Sequence, residues 1–325
     1  MKIVEKELRE RNNEAFALDV LKGLSQVKKS LPSKYLYNHK GDALFRRIMN
    51  LEEYYPTRCE AEILENHVGE LARFLEGTPL LQLVDLGAGD GYKTKIVIRH
   101  FLEAELNLKY TPIDISRNCI DGLLKNVKDE FPSLKGEGIV GDYFQGLKSL
   151  RDDHSSRKLV FFLGSNIGNF SLRDAYKFLR ELHNSLNPGD LLLIGFDLKK
   201  DPRTIIRAYD DSEGVTAEFN KNLLKRINEE LGSTFDLEAF DFYPFYNPDT
   251  GELSSYLVSN KDQNVFIEDL GRTFFFSKWE TVHTECSNKY GLNDIERIAD
   301  GTGFGLVTHY FDSKQYFVDS LWQVE

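Results

Sequence analysis

The sequence predicts an α/β fold: a doubly wound parallel sheet that ends in an antiparallel hairpin and is interrupted by an inserted α+β unit. Three observations carry this. Five short apolar runs alternate with helical patterns between residues 80 and 195, a helix and two apolar runs close the chain, and residues 200–289 break the alternation. The five runs are LLQLVDLG (80–87), KYTPIDI (109–115), GEGIVGD (136–142), KLVFFLG (158–164) and DLLLIGFD (190–197), each followed by a polar or glycine-bearing turn. Between them, residues 91–104 place Ile96, Val97, Ile98, Phe101 and Leu102 in a helical pattern, and 117–130 and 171–186 read similarly. Ser171 with Asp174 has the S-x-x-D form of a helix start. Strands alternating with helices imply right-handed βαβ crossovers, and hence parallel strands.

Toward the C-terminus, LNDIERIADGTGF (292–304) reads as a helix ended by glycine. GLVTHYF and KQYFVDSLWQV follow, separated by about Asp312 and Ser313, a hairpin spacing. The insertion holds the helical stretch PRTIIRAYDDSEGVTAEFNKNLLKRINEEL, then strand-like runs around 239–246, 253–259, 263–268 and 272–287. Residues 1–60 carry a helical pattern and the turn-rich SLPSKYLYNHKGDALF, and are expected to pack with the insertion as a lid over the strand ends. The predicted division is a sheet domain of 62–199 with 290–325, and a lid domain of 1–61 with 200–289.

Composition narrows the function classes. The 325 residues include 41 Lys and Arg against 52 Asp and Glu, a net charge of −11. An acidic chain lacks the clustered cations that coat nucleic acid. Cys59, Cys119 and Cys286 lie far apart, with no CxxC pair and no Cys/His ligand spacing, so neither a disulfide framework nor a metal site is expected. MKIVEKELRERNNEAF has no apolar signal-peptide core, and nowhere do about 18 apolar residues run together. A soluble, cytoplasmic monomer without membrane or nucleic-acid partners is expected.

The sharpest local signal is DLGAGDGYKTK (85–95), a glycine-rich turn between the first strand and a helix. Gly87, Gly89 and Gly91 let the backbone approach a ligand. A dinucleotide fingerprint needs a third glycine where Tyr92 stands, so that pattern is broken. Acids end three successive strands: Asp85, Asp114 and Asp142. Ligands in such sheets bind outside the strand C-termini. Asp114 suits ribose hydroxyls, Asp142 an exocyclic adenine amine, and Asp85 adds a favourable field for a cation. S-adenosylmethionine carries all three features and no phosphate. Strand-end acids also serve as helix caps and turn residues.

Five further pieces, in order, extend this: KSLPSKYLYNHKGDALF (29–45), EEYYPTRCEAEIL (52–64), FFLGSNIGNF (161–170), RAYDDSEGVTAEFN (207–220) and TECSNKY (284–290). Over nearly its whole length the sequence resembles the histidine-specific, S-adenosylmethionine-dependent methyltransferases, which make trimethylhistidine (hercynine) in ergothioneine biosynthesis. The resemblance implies a Rossmann-like methyltransferase sheet with a separate substrate domain. It implies cofactor contacts at Gly87, Lys93, Asp114, Asp142 and Tyr143, with Lys93 reaching the methionine carboxylate. It implies acceptor contacts at Tyr37, Tyr54, Asn169, Tyr209, Glu285 and Ser287. Asn169 and Tyr209 suit a carboxylate, Glu285 and Ser287 the two nitrogens of an imidazole, and Tyr37, Tyr54 and Asn169 the amine. Two departures stand out: Ser255 aligns where the bacterial histidine enzymes carry methionine, and the turn reads GAGDGYK where they tend to have GSGTSEK. The expected activity is Nα-methylation of L-histidine. The alternatives are methylation of another small amine or amino acid derivative, and a non-catalytic cofactor- or metabolite-binding protein.

Overall fold

Regular elements follow the apolar runs closely. The chain forms α1 (Lys2–Leu24), β1 (Lys29–Ser30), α2 (His39–Met49), α3 (Pro56–Arg73), β2 (Leu81–Leu86), α4 (Tyr92–Glu103), β3 (Leu108–Asp114) and α5 (Arg117–Glu130). Next come β4 (Lys135–Gly136), β5 (Ile139–Val140), β6 (Arg157–Phe162), α6 (Leu172–His183) and β7 (Leu191–Asp197). The insertion supplies α7 (Pro202–Tyr209), α8 (Val215–Leu231), β8 (Phe240–Asn247), β9 (Glu252–Ser259), β10 (Gln263–Ile267), β11 (Arg272–Phe276) and β12 (Thr281–Asn288). The chain closes with α9 (Leu292–Thr302), β13 (Phe304–Phe311) and β14 (Phe317–Val324). This computed structural model describes residues 2–325 except 116, 142, 144, 145 and 147–153.

The chain divides into two units. One holds the chain up to Tyr55 together with Lys200–Ser287, and the other Pro56–Lys199 with Asn288–Glu325. In the second unit an eight-stranded sheet runs β13-β14-β7-β6-β2-β3, with β4 and β5 both against β3 at the far edge. β2 pairs in parallel with β3 and β6, and β6 with β7, while β14 lies antiparallel to both β7 and β13. This is the Rossmann-like methyltransferase arrangement. Because β3 lies on one side of β2 and β6 on the other, the switch point, where such sheets take ligands, falls at the C-terminal end of β2. Every residue of β2 and β7 is buried, as strands covered on both faces require. On one face Val84, Val160, Phe162 and Ile194 share a core with Phe178 and Leu179 of α6 and Ile295 and Ile298 of α9.

Three local readings are corrected. GEGIVGD makes two short strands rather than one, broken at 137–138, where the Glu137 N–H turns onto the Tyr110 carbonyl. The run 272–287 is two strands, β11 and β12, separated by a turn in which Glu280 accepts the Ser277 N–H. The final hairpin loop spans 312–316 instead of two residues, because the Asp312 carboxylate accepts the N–H groups of Lys314, Tyr316 and Phe317 and stabilises a wider loop.

The first unit is built on a four-stranded sheet ordered β1-β12-β9-β8, beside the β10–β11 hairpin. Helix α8 buries Phe219, Leu223, Leu224 and Ile227 and packs against β8 and β9. The helical stretch 202–231 breaks into α7 and α8 because Asp211 accepts the N–H groups of Val215 and Thr216, both at 2.8 Å, and Gly214 turns at φ +68°. Among the described residues no helix is long and apolar enough to cross a membrane, and no group of three or more His, Cys, Asp or Glu could hold a metal ion. None of the three cysteines forms a disulfide.

The Asp211 cap makes a prediction. Asp211→Ala removes the acceptor of two otherwise unpaired helix N–H groups and lowers unfolding free energy by about 1–2 kcal/mol in denaturant melts at pH 7. Unchanged stability would contradict the capping role.

Candidate active site

Strand β2 delivers the chain into a crowded turn. Gly87, Gly89 and Gly91 all have positive φ (+72°, +56° and +69°), which an L side chain rarely adopts. A Cβ on Gly87 would meet the Tyr143 hydroxyl at 2.8 Å and the Asn166 side-chain nitrogen at 3.2 Å. The space around Gly89 is open. The turn is held by Gly87 N–H to the Ile113 carbonyl (2.8 Å) and Gly91 N–H to the Ala88 carbonyl (3.0 Å). Tyr143 packs edge-on to Phe162, and burial, with the charges of Asp114 and Asp85, pushes its phenol well above the usual range.

The acids take distinct roles. Asp85 is buried, and one carboxylate oxygen accepts from the Thr94 hydroxyl at 2.5 Å and the Tyr110 hydroxyl at 3.0 Å. Burial raises its pKa to about 6, against the opposing pull of those hydrogen bonds and the Lys93 charge. It therefore braces β2, β3 and α4. Asp114 sits half-buried at the end of β3. Asp142 lies outside the described residues. Lys93, in the first turn of α4, makes an ion pair with Glu60 of α3.

Asn169 belongs to this same unit. After β6, Gly164 and Ser165 both turn through positive φ into a short 3₁₀ turn, Asn166–Asn169. Asn288 donates from its side-chain amide to the carbonyls of Gly168 (3.0 Å) and Phe170 (2.9 Å), bracketing Asn169. The Tyr290 hydroxyl donates to the Ile167 carbonyl, and Ser165 Oγ accepts the Asp197 N–H. Asn288 and Tyr290 lie within TECSNKY, yet the sequence marked only Glu285 and Ser287 there. An amide clamping two carbonyls has no spacing signature.

The other acceptor candidates lie in the first unit. Tyr209, the last residue of α7, shares a hydrogen bond of 2.9 Å with Ser287 of β12. The Tyr54 ring stands 6.1 Å from that of Tyr209, and Phe45 links Tyr54 to Tyr37 through edge-on contacts. Glu285 is two residues before Ser287 on β12, and so on the same face of the strand. Ser255 of β9 is 1% exposed and its hydroxyl has no hydrogen-bond partner among the described residues. Tyr37, Tyr54, Tyr209 and Ser287 are thus joined by direct or successive contacts.

Comparison with known proteins decides the family. The family model described as "Histidine-specific methyltransferase, SAM-dependent" matches residues 16–324. The chain belongs to this methyltransferase family. A histidine N-alpha-methyltransferase of Mycolicibacterium smegmatis is 37% identical over 299 residues, covering 92% of this chain and 91% of that protein. One of Mycobacterium tuberculosis is 35% identical, covering 90% and 94%. The ergothioneine biosynthesis protein 1 of Neurospora crassa is 31% identical, covering 89% of this chain and 32% of the longer fungal protein.

The methyltransferase takes its methyl group from S-adenosylmethionine. In its turn three successive glycines take positive φ, and the space around Gly89 is open.

The raised pKa of Asp85 predicts a pH dependence. Its folded-state value lies above the ordinary 3.8, so its stabilising share is complete below about pH 4 and is lost as pH rises through about 6. Asp85→Asn cannot ionise, so its unfolding free energy relative to the unsubstituted protein rises between pH 4 and 7, by up to ~3 kcal/mol. A pH-independent difference would contradict the burial of an ionising carboxyl.

Proposed function

We propose that this methyltransferase transfers methyl groups to the α-amino nitrogen of L-histidine, yielding trimethylhistidine after three rounds. The observation that carries the reading is the Tyr209–Ser287 hydroxyl pair, set two residues from Glu285 and beside the Tyr54 ring. It offers an amino acid hydrogen-bonding hydroxyls and one acid, with apolar ring faces around them. Full-length similarity to two histidine N-alpha-methyltransferases supports the same choice.

Each residue has a task. Glu285 and Ser287 accept from and donate to the imidazole nitrogens, and Tyr209 and Asn169 donate to the carboxylate. Tyr37, Tyr54 and Asn169 orient the amine through neutral groups, which favours the uncharged nitrogen that can attack. A carboxylate there would hold it as ammonium. The released proton passes to water or to a tyrosine, and no strong base is needed. S-adenosylmethionine, when bound, supplies an electrophilic methyl on a thioether that leaves without protonation. Lys93 holds the donor's carboxylate, Asp114 its ribose and Asp142 its adenine amine, with Asp85, Gly87, Gly89 and Tyr143 shaping the turn. The first unit acts as the acceptor-binding domain.

A second reading rests on Ser255. Its buried hydroxyl lacks a partner, and such a group favours an acceptor that brings its own polar atom. A different amino acid derivative is then the substrate.

Incubation with S-adenosylmethionine and each of the twenty amino acids, followed by mass, separates these readings. Gains of up to three methyl groups on histidine alone are expected; no gain on histidine would overturn the proposal. Separately, Glu285→Ala weakens histidine binding by about tenfold or more, the cost of one charge-assisted hydrogen bond, and leaves S-adenosylhomocysteine binding unchanged in calorimetry. Equal loss of both ligands would show that Glu285 is misassigned.

A further inference from the structure

Beneath the cofactor turn lies a cluster of three charged side chains from three elements. Glu60 of α3 is 1% exposed and Asp319 of β14 is fully buried, and the carboxyl groups of both stand over Gly195 of β7. Neither oxygen of Asp319 has a hydrogen-bond partner among the described residues. Glu60 uses its own two oxygens in different directions. Oε2 pairs with the Lys93 ammonium, and Oε1 accepts the Gly164 N–H at 2.6 Å. Gly164 begins the loop that carries Asn169.

The fold makes room for this pair. Asp319 sits opposite Gly195 of β7, and a Cβ on Gly195 would overlap Glu60 Oε1 and approach Asp319 Oδ1 at 3.2 Å. Glycine in the middle of a buried strand costs stability and packs nothing, so its presence marks the close approach of another group.

Two buried carboxylates beside one ammonium would leave an uncompensated negative charge. A proton on Asp319 makes the trio neutral. Burial, and then the Glu60 charge, hold the Asp319 carboxyl well above the carboxylate range, with Lys93 opposing.

We infer that Glu60 is a positioning residue that holds Lys93 at the cofactor turn and Gly164 at the start of the Asn169 loop, with the buried Asp319 carboxyl beside it kept neutral. Neutrality of the trio lets Lys93 turn its remaining donors to an incoming carboxylate without a second negative charge behind it. This rests on the proposed contact of Lys93 with the donor's methionine carboxylate.

The test compares calorimetric binding of S-adenosylhomocysteine with that of 5′-methylthioadenosine, which lacks the amino acid portion. Lys93→Met and Glu60→Gln each weaken S-adenosylhomocysteine by about tenfold or more, and leave 5′-methylthioadenosine within about threefold. Asp319→Asn, neutral like the protonated acid and of the same shape, retains both affinities within about threefold. If Lys93→Met leaves the ratio of the two ligands unchanged, the Lys93 assignment fails. If Lys93→Met changes it but Glu60→Gln weakens both ligands equally or neither, the positioning role is overturned. Glu60→Asp, one methylene short of Lys93, gives the same selective loss and decides the matter should Glu60→Gln not fold.

Discussion

The chain leaves its eight-stranded sheet at the end of β7 and returns just after β12, and a buried ion pair closes that junction. Asp197 ends β7 and Lys289 follows β12; both are fully buried, and they meet at 2.9 Å. Around them, Tyr290 N–H donates to the Asp197 carbonyl and Lys199 N–H to the Tyr290 carbonyl. Removing one partner of such a pair strands a buried charge, at a cost of about 3–5 kcal/mol. The same junction carries Asn288, which clamps the Asn169 loop, and Tyr290, which supports it. An insertion of nearly ninety residues can therefore interrupt the sheet without loosening the loop beside the switch point.

The chemistry assigned to the protein asks for little acid–base machinery, and the residues agree. Methyl transfer from a sulfonium needs alignment and dryness more than proton transfer. Asp85 is turned inward onto Thr94 and Tyr110, where it stiffens the glycine turn. In the first unit, Tyr37 and Tyr54 sit among Phe45, Phe219 and Tyr209, which makes their hydroxyls polar points on apolar walls. Neutral hydroxyls can orient an amine while leaving its lone pair available.

Much of the fold was legible because period and length leave few alternatives. The run LLQLVDLG, short, apolar and closed by a glycine turn, reads as a strand and matches β2, and 117–130 reads as a helix and matches α5. The insertion announced itself by placing several strands in succession. What escaped were features made by single polar side chains, some on nearby backbone and some at long range. Asp312 widened the last loop, and Asp211 split one long helical pattern into α7 and α8. Glu60 sits in α3 among ordinary helix acids, and nothing in its spacing tells that it is buried against Lys93. Asp319 in FVDSLWQV carries no signal of its own in the sequence, yet the glycine opposite it, Gly195, leaves room for its carboxyl. At the candidate site, the residue types followed from the family's motifs, whereas the supports around them, Asn288 and Tyr290 among them, follow only from the three-dimensional pairing.

In the proposed function the α-amino nitrogen of histidine, and not its ring, meets the methyl donor. Reaction with S-adenosylmethionine carrying a ¹³C-labelled methyl group tests this directly, through the long-range carbon–proton correlations of the product in NMR. The labelled methyl is expected to correlate with the histidine α-proton. Correlation with the imidazole protons would place the methyl on a ring nitrogen and contradict it.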